Sequence, residues 1–236
     1  MYWFYSEQVN TPLHTLGPEE SKHCYSVLRL KAGETVGLVD GRGGYYLCRI
    51  VASDPRGVSV EVGVKTDNYG ARDYRLHIAL APPKNTERWE WFIEKATEIG
   101  VDEITPILCR RSERKLIKPE RTRKIFIAAI KQSKQAWLPV LHPMTSVSRF
   151  IEEARLPYRF IACEQAGVHL ADRYRKGKDA VIIIGPEGGF TDDEISMAVN
   201  HNFTGVHLGP HILRTETAGL VACSTVAMIN AQKVKQ

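Results

Sequence analysis

Long hydrophobic runs are missing from this 236-residue chain. No segment approaches the roughly 20 apolar residues that a membrane-spanning helix needs, and the amino terminus, MYWFYSEQVN, has neither a basic leader nor a signal-peptide core. We therefore expect a cytoplasmic protein with no membrane partner. Apolar residues make up 43% of the chain and charged residues 25%, a balance typical of folded globular proteins and unlike disordered or fibrous chains.

Paired cysteines are also lacking. The five cysteines are odd in number and widely scattered, with no CxxC pair among them: Cys24, Cys48, Cys109, Cys163 and Cys223. This spacing argues against a disulfide framework and against a zinc site. We expect reduced, mostly buried thiols and no bound metal.

A nucleotide phosphate loop is absent where one would be sought first. The apolar stretch Val181–Ile184 is followed by Gly185-Pro186-Glu187-Gly188-Gly189, without the Lys and Ser/Thr of a P-loop and without a GxGxxG fingerprint. The carboxylate of Glu187 would repel a polyphosphate. The loop therefore predicts a ligand that is neutral or cationic at that point, and it argues against a dinucleotide-dependent oxidoreductase.

The sequence pattern of the first 72 residues predicts a small β-barrel or sandwich. Turn dipeptides at Asp40-Gly41 and Gly43-Gly44 separate short runs that alternate between apolar and polar residues. The apolar set in near period two is Val36, Leu38, Tyr45, Leu47 and Ile50. A short helix is expected over residues 21–31, and the domain boundary is expected near residue 72.

From residue 73 to residue 236, strands alternate with helices, which predicts a mostly parallel α/β sheet covered on both faces. Helices are expected over residues 87–99 with Gly100 as the carboxyl cap, from near Pro119, from Thr191 with a capping box to Glu194, and on to about Asn230. The expected strands are residues 75–81, 103–108, 159–163, 180–184 and 205–208.

Two strand ends share one pattern, Ile184-Gly185-Pro186 and Leu208-Gly209-Pro210. We treat these strands as neighbours, and because ligands lie beyond the carboxyl ends of parallel strands, we expect one pocket between the two turns. The helix that follows Thr217 is apolar nearly all round, which predicts burial inside the domain or in a subunit interface.

Arg214 and Glu216 lie between the second turn and that helix. One interpretation is structural, with the two side chains paired on the surface and Thr215 or Thr217 as the helix amino cap. The other is functional: Arg214 stabilises negative charge on a ligand, and Glu216 orients the side chain of Arg214.

The basic segment of residues 110–134 carries ten Lys or Arg and two Glu. It is either the solvated face of a helix or a patch that follows nucleic-acid phosphates. The charge pattern alone leaves both open.

Four stretches of the sequence carry a family resemblance. Residues 96–106, IIGPEGGF at 183–190 and LGPHILRTETA at 208–218 resemble the small-subunit ribosomal RNA methyltransferase E family, and HCYSVLRLKAGETVGLVDGRG at 23–43 is similar to its PUA-like RNA-binding barrel. LRTETA and IGPEGG at this separation are a specific pair. Only residues 131–140 match loosely.

The resemblance implies a SPOUT-type α/β domain with a deep trefoil knot, preceded by a PUA-like barrel, in a homodimer. It implies S-adenosyl-L-methionine as the cofactor and N3 of a uridine in 16S ribosomal RNA, within the 30S particle, as the target. The cofactor-binding residues implied are Cys163, Glu164, Ile184, Gly185, Pro186, Glu187, Gly188, Leu208, Gly209, Ile212, Leu213 and Thr215. Glycines 185, 188 and 209 are expected to let the backbone approach the ligand.

Uracil N3 carries a proton that must leave before the nitrogen can attack, so Arg214 is the candidate for stabilising the uracil oxygens and Glu216 for orienting Arg214 or accepting the proton. The candidate RNA contacts are Arg29, Lys31, Arg42, Arg110, Arg111, Arg114 and Lys115. Two alternatives stay open: a knotted methyltransferase acting on another RNA or on a ribose hydroxyl, and an inactive RNA-binding ribosome assembly factor.

Overall fold

The computed structural model describes residues 1–232, which form two compact units. The first consists of Met1–Ala71 and Ile127–Leu138, and the second of Arg72–Phe126 and the chain from Pro139 onward. Since residues 127–138 pack with the first unit, the division at residue 72 stays a prediction about separate folding domains. None of the helices described between residues 1 and 232 is long and apolar enough to cross a membrane.

The first unit contains one five-stranded sheet with the order β1-β3-β4-β5-β2. Its strands are β1 (Trp3–Tyr5), β2 (Leu13–Thr15), β3 (Thr35–Val39), β4 (Tyr45–Asp54) and β5 (Gly57–Thr66). The β1–β3 pair is parallel and the other pairs are antiparallel. Closure of this sheet into a barrel stays a prediction.

Two of the three β4 residues in the predicted apolar set, Tyr45 and Leu47, are not on the buried face of the strand. Tyr46, Cys48 and Ile50 are buried, whereas Leu47 is exposed and Tyr45 only half-buried. Because side chains alternate across a strand, a one-residue shift exchanges the two faces. The apolar residues on both faces of this strand hid the correct register from the sequence pattern.

The helix predicted over residues 21–31 begins earlier and ends earlier. Helix α1 (Pro18–Lys22) continues into a π-helical turn, His23–Val27. Cys24 is buried as expected, but Val27 is exposed. Arg29 has a φ of 56°, a left-handed conformation that cannot continue a right-handed helix.

The second unit contains a seven-stranded sheet in which every described strand pair is parallel, which confirms the predicted α/β fold class. The order is β12-β10-β11-β6-β7-β8, with β9 also paired to β7. The strands are β6 (Leu76–Leu80), β7 (Glu103–Leu108), β8 (Val140–Leu141), β9 (Thr145–Ser146), β10 (Tyr158–Ala162), β11 (Ala180–Ile184) and β12 (Thr204–Val206). The last strand is two residues shorter at its carboxyl end than predicted.

Six further helices are α2 (Thr86–Ile99), α3 (Pro119–Ser133), α4 (Val147–Glu153), α5 (Leu170–Arg173), α6 (Asp192–Asn200) and α7 (Thr215–Ala231). Two predicted caps are confirmed. Gly100 ends α2 in a left-handed conformation with a φ of 110°, and Thr191 and Glu194 form both hydrogen bonds of a capping box.

The amino end of helix α7 differs from the structural interpretation of the sequence. Arg214, rather than Thr215 or Thr217, occupies the amino-cap position, and its side chain makes no capping hydrogen bond. In the single chain the helix buries one face and Met228 is 68% exposed, so burial of its other apolar residues in a subunit interface stays a prediction. Its apolar residues on the other face are therefore left for a partner or for solvent.

Close packing of α7 requires a glycine at position 219. A Cβ atom there would lie 2.6 Å from Leu80 Cδ1 and 2.6 Å from Phe92 Cε2, both in fully buried side chains. The missing side chain lets α7 approach β6 and α2 closely.

We expect Gly219→Ala to lower the free energy of unfolding, because overpacking costs about 1 to 3 kcal/mol against a helical gain of about 1 kcal/mol. Urea denaturation measures the change. Gly167→Ala is the control, since no atom lies within 4 Å of its Cβ position. A stabilised Gly219→Ala variant would show that helix propensity outweighs the close approach.

Candidate active-site pocket

The two Gly-Pro turns lie at the same edge of the parallel sheet, but their strands are not neighbours. β10 lies between β11 and β12 and pairs with both. The sequence pattern was wrong on this point because the order of strands along the chain does not determine their order in a sheet. Because β10 lies between these two strands, the loop that follows it, which begins at Cys163, is a third loop at the same edge of the sheet.

These three loops surround a pocket of about 420 Å³. All twelve residues proposed as cofactor contacts line it: Cys163, Glu164, Ile184, Gly185, Pro186, Glu187, Gly188, Leu208, Gly209, Ile212, Leu213 and Thr215. The sequence did not identify other lining residues, including Gln165, Gly189, Phe190, Ile195, His207 and Ala218. Several of these adjoin predicted positions in the chain, whereas Phe190 and Ile195 are brought in by the fold of α6 and its loop.

A hydrogen bond joins two walls of the pocket. The hydroxyl of Thr215, at the start of α7, donates to the carbonyl of Gly185 at 3.0 Å. Gly185 is covered by the ring of Phe190, 3.0 Å from the place of a Cβ atom, so its lack of a side chain serves this packing. Gly189 and Gly209 have φ values of 68° and 143°, and no atom lies within 4 Å of their Cβ positions. Open space beside these two residues allows a ligand to approach the backbone.

The carboxylate of Glu187 has a structural partner. It accepts a hydrogen bond from the backbone N–H of Lys84 at 3.1 Å, which connects the glycine loop to the segment between β6 and α2. Arg111 donates from Nη1 to the carbonyls of Gly188 at 2.8 Å and Phe190 at 3.2 Å. Arg111 therefore lines the pocket and supports its glycine loop. The sequence predicted only an RNA contact for this residue.

Arg114 is likewise occupied within the chain, since Nη2 donates to the carbonyl of Lys84 at 2.9 Å and to the hydroxyl of Thr86. The remaining candidate RNA contacts are exposed. Arg29, Lys31 and Arg42 belong to the first unit, and Arg110 and Lys115 to the second. Among them Arg42 donates to the carbonyl of Glu7 at 2.7 Å, and Arg110 lies 3.9 Å from Asp193.

Arg214 and Glu216 flank the pocket without lining it. Arg214 is exposed, whereas Glu216 is only 5% exposed. Glu216 Oε1 lies 3.6 Å from Nε of Arg88 in α2, and within residues 1–232 its Oε2 atom has no hydrogen-bond partner. The carboxylate therefore faces Arg88, a residue for which the sequence offered no signal.

Comparison with known proteins decides the family. Residues 71–227 match the RNA methyltransferase domain family, and residues 16–63 match the RNA methyltransferase PUA domain family. A ribosomal RNA small subunit methyltransferase E from Synechocystis is 30% identical over 95% of this chain and 75% of its own length. The chain belongs to the ribosomal RNA small subunit methyltransferase E family. The resemblance predicted from the sequence motifs is thereby confirmed.

Other relatives of this methyltransferase support the same assignment. The enzyme of that name from Aquifex aeolicus is 30% identical over 92% of this chain and 95% of its own length. A probable rRNA methyltransferase from Porphyromonas gingivalis is 37% identical with a TM-score of 0.92, covering 98% of this chain and 99% of that one. A Legionella pneumophila putative methyltransferase, solved with bound cofactor SAM, is 30% identical with a TM-score of 0.87 and 96% coverage of both chains.

Cys163 provides a chemical probe of the pocket, because it lines the pocket and is half-buried while the other four cysteines are buried. Burial raises the pKa of Cys163 above its ordinary value, and it raises the pKa of Cys24 and Cys48 to about 11 and of Cys109 and Cys223 to about 12. Thiolates are the reactive form. We expect iodoacetamide to modify Cys163 first, faster as the pH rises, with peptide mass spectrometry as the readout.

The Cys163→Ser variant should lose this first modification and keep the slow remainder. Preferential labelling of any of the other four cysteines would contradict the exposure of the pocket wall.

Proposed function

We propose that this chain transfers the methyl group of S-adenosyl-L-methionine to N3 of a uridine in 16S ribosomal RNA. The observation that carries the proposal is the pocket itself: in a chain of this methyltransferase family, three loops at the carboxyl edge of the sheet enclose a site with no phosphate-binding lysine.

The lining residues suit S-adenosylmethionine. Its adenine and ribose require backbone groups and apolar side chains, which Ile184, Leu208 and Leu213 supply. Its positive sulfonium and ammonium groups suit a wall that contains the carboxylates of Glu164 and Glu187. The open Cβ positions of Gly189 and Gly209 leave room for a close approach to the backbone. The relative from Legionella pneumophila, solved with SAM, supports the same assignment.

When bound, the cofactor supplies a methyl group whose carbon–sulfur bond breaks as the new carbon–nitrogen bond forms, and the sulfur keeps the electron pair. The protein must remove the N3 proton of the uracil and stabilise the negative charge that then develops on the uracil oxygens. Arg214 is exposed and lies in the chain between two lining residues, Leu213 and Thr215. A guanidinium at this place can stabilise that charge in the transition state.

Glu216 is suited to a positioning role. Its carboxylate is buried and faces Arg88, so a direct approach by a large RNA is hindered. A buried carboxylate with one oxygen lacking a partner among the described residues must be stabilised by the nearby cation, because an isolated buried charge is costly. We infer that Glu216 keeps the first turn of α7, which follows Arg214, in place. If Glu216 accepts the N3 proton, a water molecule must carry the proton from the uracil to the carboxylate.

Pairing edges of bases are inaccessible inside a helix, so the target uridine must be unpaired or pulled from its stack. We propose that Arg29, Lys31, Arg42, Arg110 and Lys115 contact RNA phosphates, whereas Arg111 and Arg114 support the loops to which they are hydrogen-bonded. The apolar residues of α7 that the single chain does not bury support the homodimer, and Met228 among them is 68% exposed. The trefoil knot remains part of the same family-based proposal.

The substrate is tested by incubating the protein with labelled S-adenosylmethionine and 30S particles from a strain that lacks the enzyme. Mass mapping should then find one methylated uridine in 16S RNA, modified on the base. Label on a ribose hydroxyl or on transfer RNA would favour the first alternative, a knotted methyltransferase with another target. Failure to bind S-adenosylmethionine by calorimetry would favour the inactive assembly factor.

Arg214→Ala should lower the single-turnover rate of methyl transfer by about 100-fold or more, the usual cost of losing one oxyanion-stabilising donor. Binding of S-adenosylmethionine should stay unchanged, because Arg214 does not line the pocket. Arg173→Ala, which removes an exposed arginine from α5, is the matched control and should keep the rate. An unchanged rate for Arg214→Ala with normal cofactor binding would remove this role.

RNA affinity should fall with salt, and a single substitution should reduce the slope of the log–log plot by about 0.7 to 0.9 for each phosphate that the variant no longer neutralises. We expect this of Arg29→Ala, Lys31→Ala and Lys115→Ala in filter-binding titrations. Arg56→Ala is the control, because Arg56 is as exposed but paired with Asp54 at 3.1 Å. A slope that none of the three changes would exclude these side chains from the interface.

A further inference from the structure

Three side chains converge at the other edge of the parallel sheet, where β6 and β7 begin and β8 ends. They are His77, Glu103 and His142, and one donor atom of each lies within 4.8 Å of the others. Glu103 Oε2 is 2.7 Å from His142 Nε2 and 3.8 Å from His77 Nδ1. Sheet register produces this meeting, since His77 pairs with Glu103 across β6 and β7, and Glu103 pairs with Val140 across β7 and β8.

Neighbouring groups orient two of these side chains. The second ring nitrogen of His77, Nε2, lies 2.8 Å from the hydroxyl of the buried Thr105. When Nε2–H donates to Thr105, Nδ1 directs its lone pair towards Glu103. The other oxygen of Glu103 accepts from Arg75 at 2.9 Å, which leaves Oε2 for the cluster. Such outer hydrogen bonds are what fixes the ring orientation and tautomer of metal-binding histidines.

We propose that His77 Nδ1, Glu103 Oε2 and His142 Nε2 form a binding site for a divalent transition-metal ion of the Zn²⁺ type. Two imidazoles and one carboxylate suit Zn²⁺, Co²⁺ or Ni²⁺ better than Mg²⁺ or Ca²⁺, which prefer oxygen ligands. Bonds of about 2.0 to 2.2 Å require donor atoms about 3 to 4 Å apart. The half-exposed ring of His142 can move the short distance needed, and the ion takes the place of the proton between His142 and Glu103.

A pocket of about 550 Å³ gives access to this site. His77, Thr105 and His142 line it, so coordination positions not filled by the protein can face water or a small ligand there. Arg149 and Arg155 also line that pocket, and Arg149 is paired with Glu153 at 2.8 Å, which reduces its repulsion of an incoming cation. The site lies at the amino ends of β6 and β7 and is therefore separate from the cofactor pocket at the carboxyl edge of the sheet.

The proposal departs from the expectation of no metal, which rested on cysteine spacing. These ligands are far apart in the chain and follow no short motif, and only strand pairing brings them together. A bound ion would cross-link β6, β7 and the residue after β8. Because it would bind the folded state and not the unfolded chain, it should stabilise the fold.

The test is a titration of the full chain with ZnCl₂, by calorimetry, and with CoCl₂, by visible absorption. One ion per chain is expected, with a cobalt spectrum that lacks thiolate-to-metal charge transfer. Glu103→Gln and His142→Ala should each weaken binding by at least about tenfold, the lower end of what even outer-shell changes cost. His201→Ala is the control, because His201 lies outside the cluster with Nδ1 on the carbonyl of Met197.

Thermal unfolding provides a second readout. Zn²⁺ should raise the unfolding midpoint of the unsubstituted protein and of His201→Ala, with reversal by a chelator, and at the same concentration should raise that of His142→Ala and Glu103→Gln by less. Circular dichroism without metal verifies that both variants fold. The site would be overturned if His142→Ala and Glu103→Gln bound the metal as tightly as the unsubstituted protein does, or showed the same midpoint shift. Thiolate bands in the cobalt spectrum, or no metal binding by the unsubstituted protein, would also overturn it. Cofactor binding by Glu103→Gln should stay normal, so this outcome is independent of the methyl-transfer proposal.

Discussion

The parallel direction of the strands in the second unit is the constraint on which both of its sites depend. When all strands run the same way, their carboxyl ends gather at one edge of the sheet and their amino ends at the other. Cys163, Gly185 and Gly209 each follow a strand and therefore meet at one edge, although they come from different parts of the chain. The cluster of His77, Glu103 and His142 lies at the opposite edge, where β6 and β7 begin. His142 reaches this edge although it follows β8, because that two-residue strand pairs only with Glu103 and Ile104 at the start of β7.

The pocket has a rigid base because the elements below it are closely packed. All five residues of β11 are buried, so the glycine loop begins from a strand with no freedom to shift. Helix α7 approaches β6 and α2 through Gly219, and the hydroxyl of Thr215 at its first residue holds the carbonyl of Gly185. Preorganisation of this kind lowers the entropy cost of ligand binding.

The basic segment shows why charge counts describe a protein only in part. Arg111 and Arg114 donate to backbone carbonyls of neighbouring loops, and Arg121 pairs with Glu90 at 2.9 Å. These side chains hold the fold together, whereas Lys115 is exposed and available to an RNA phosphate. Basic residues within one short stretch thus differ in whether they support neighbouring parts of the chain, and a count of charges does not show this difference.

Local patterns in the chain were enough to predict the fold class, many element positions, the caps of α2 and α6, and a pocket at the two Gly-Pro turns, whereas the individual residues of the pocket wall were implied by the family resemblance. These features depend on periodicity, on glycine and on short motifs, all of which are readable along the chain. Three-dimensional contacts were needed to establish that β10 separates β11 from β12, that Leu47 faces outward, that Glu216 faces Arg88, and that two histidines meet Glu103. Each of these depends on strand order, register or side-chain burial, which arise between residues distant in sequence and leave no local pattern.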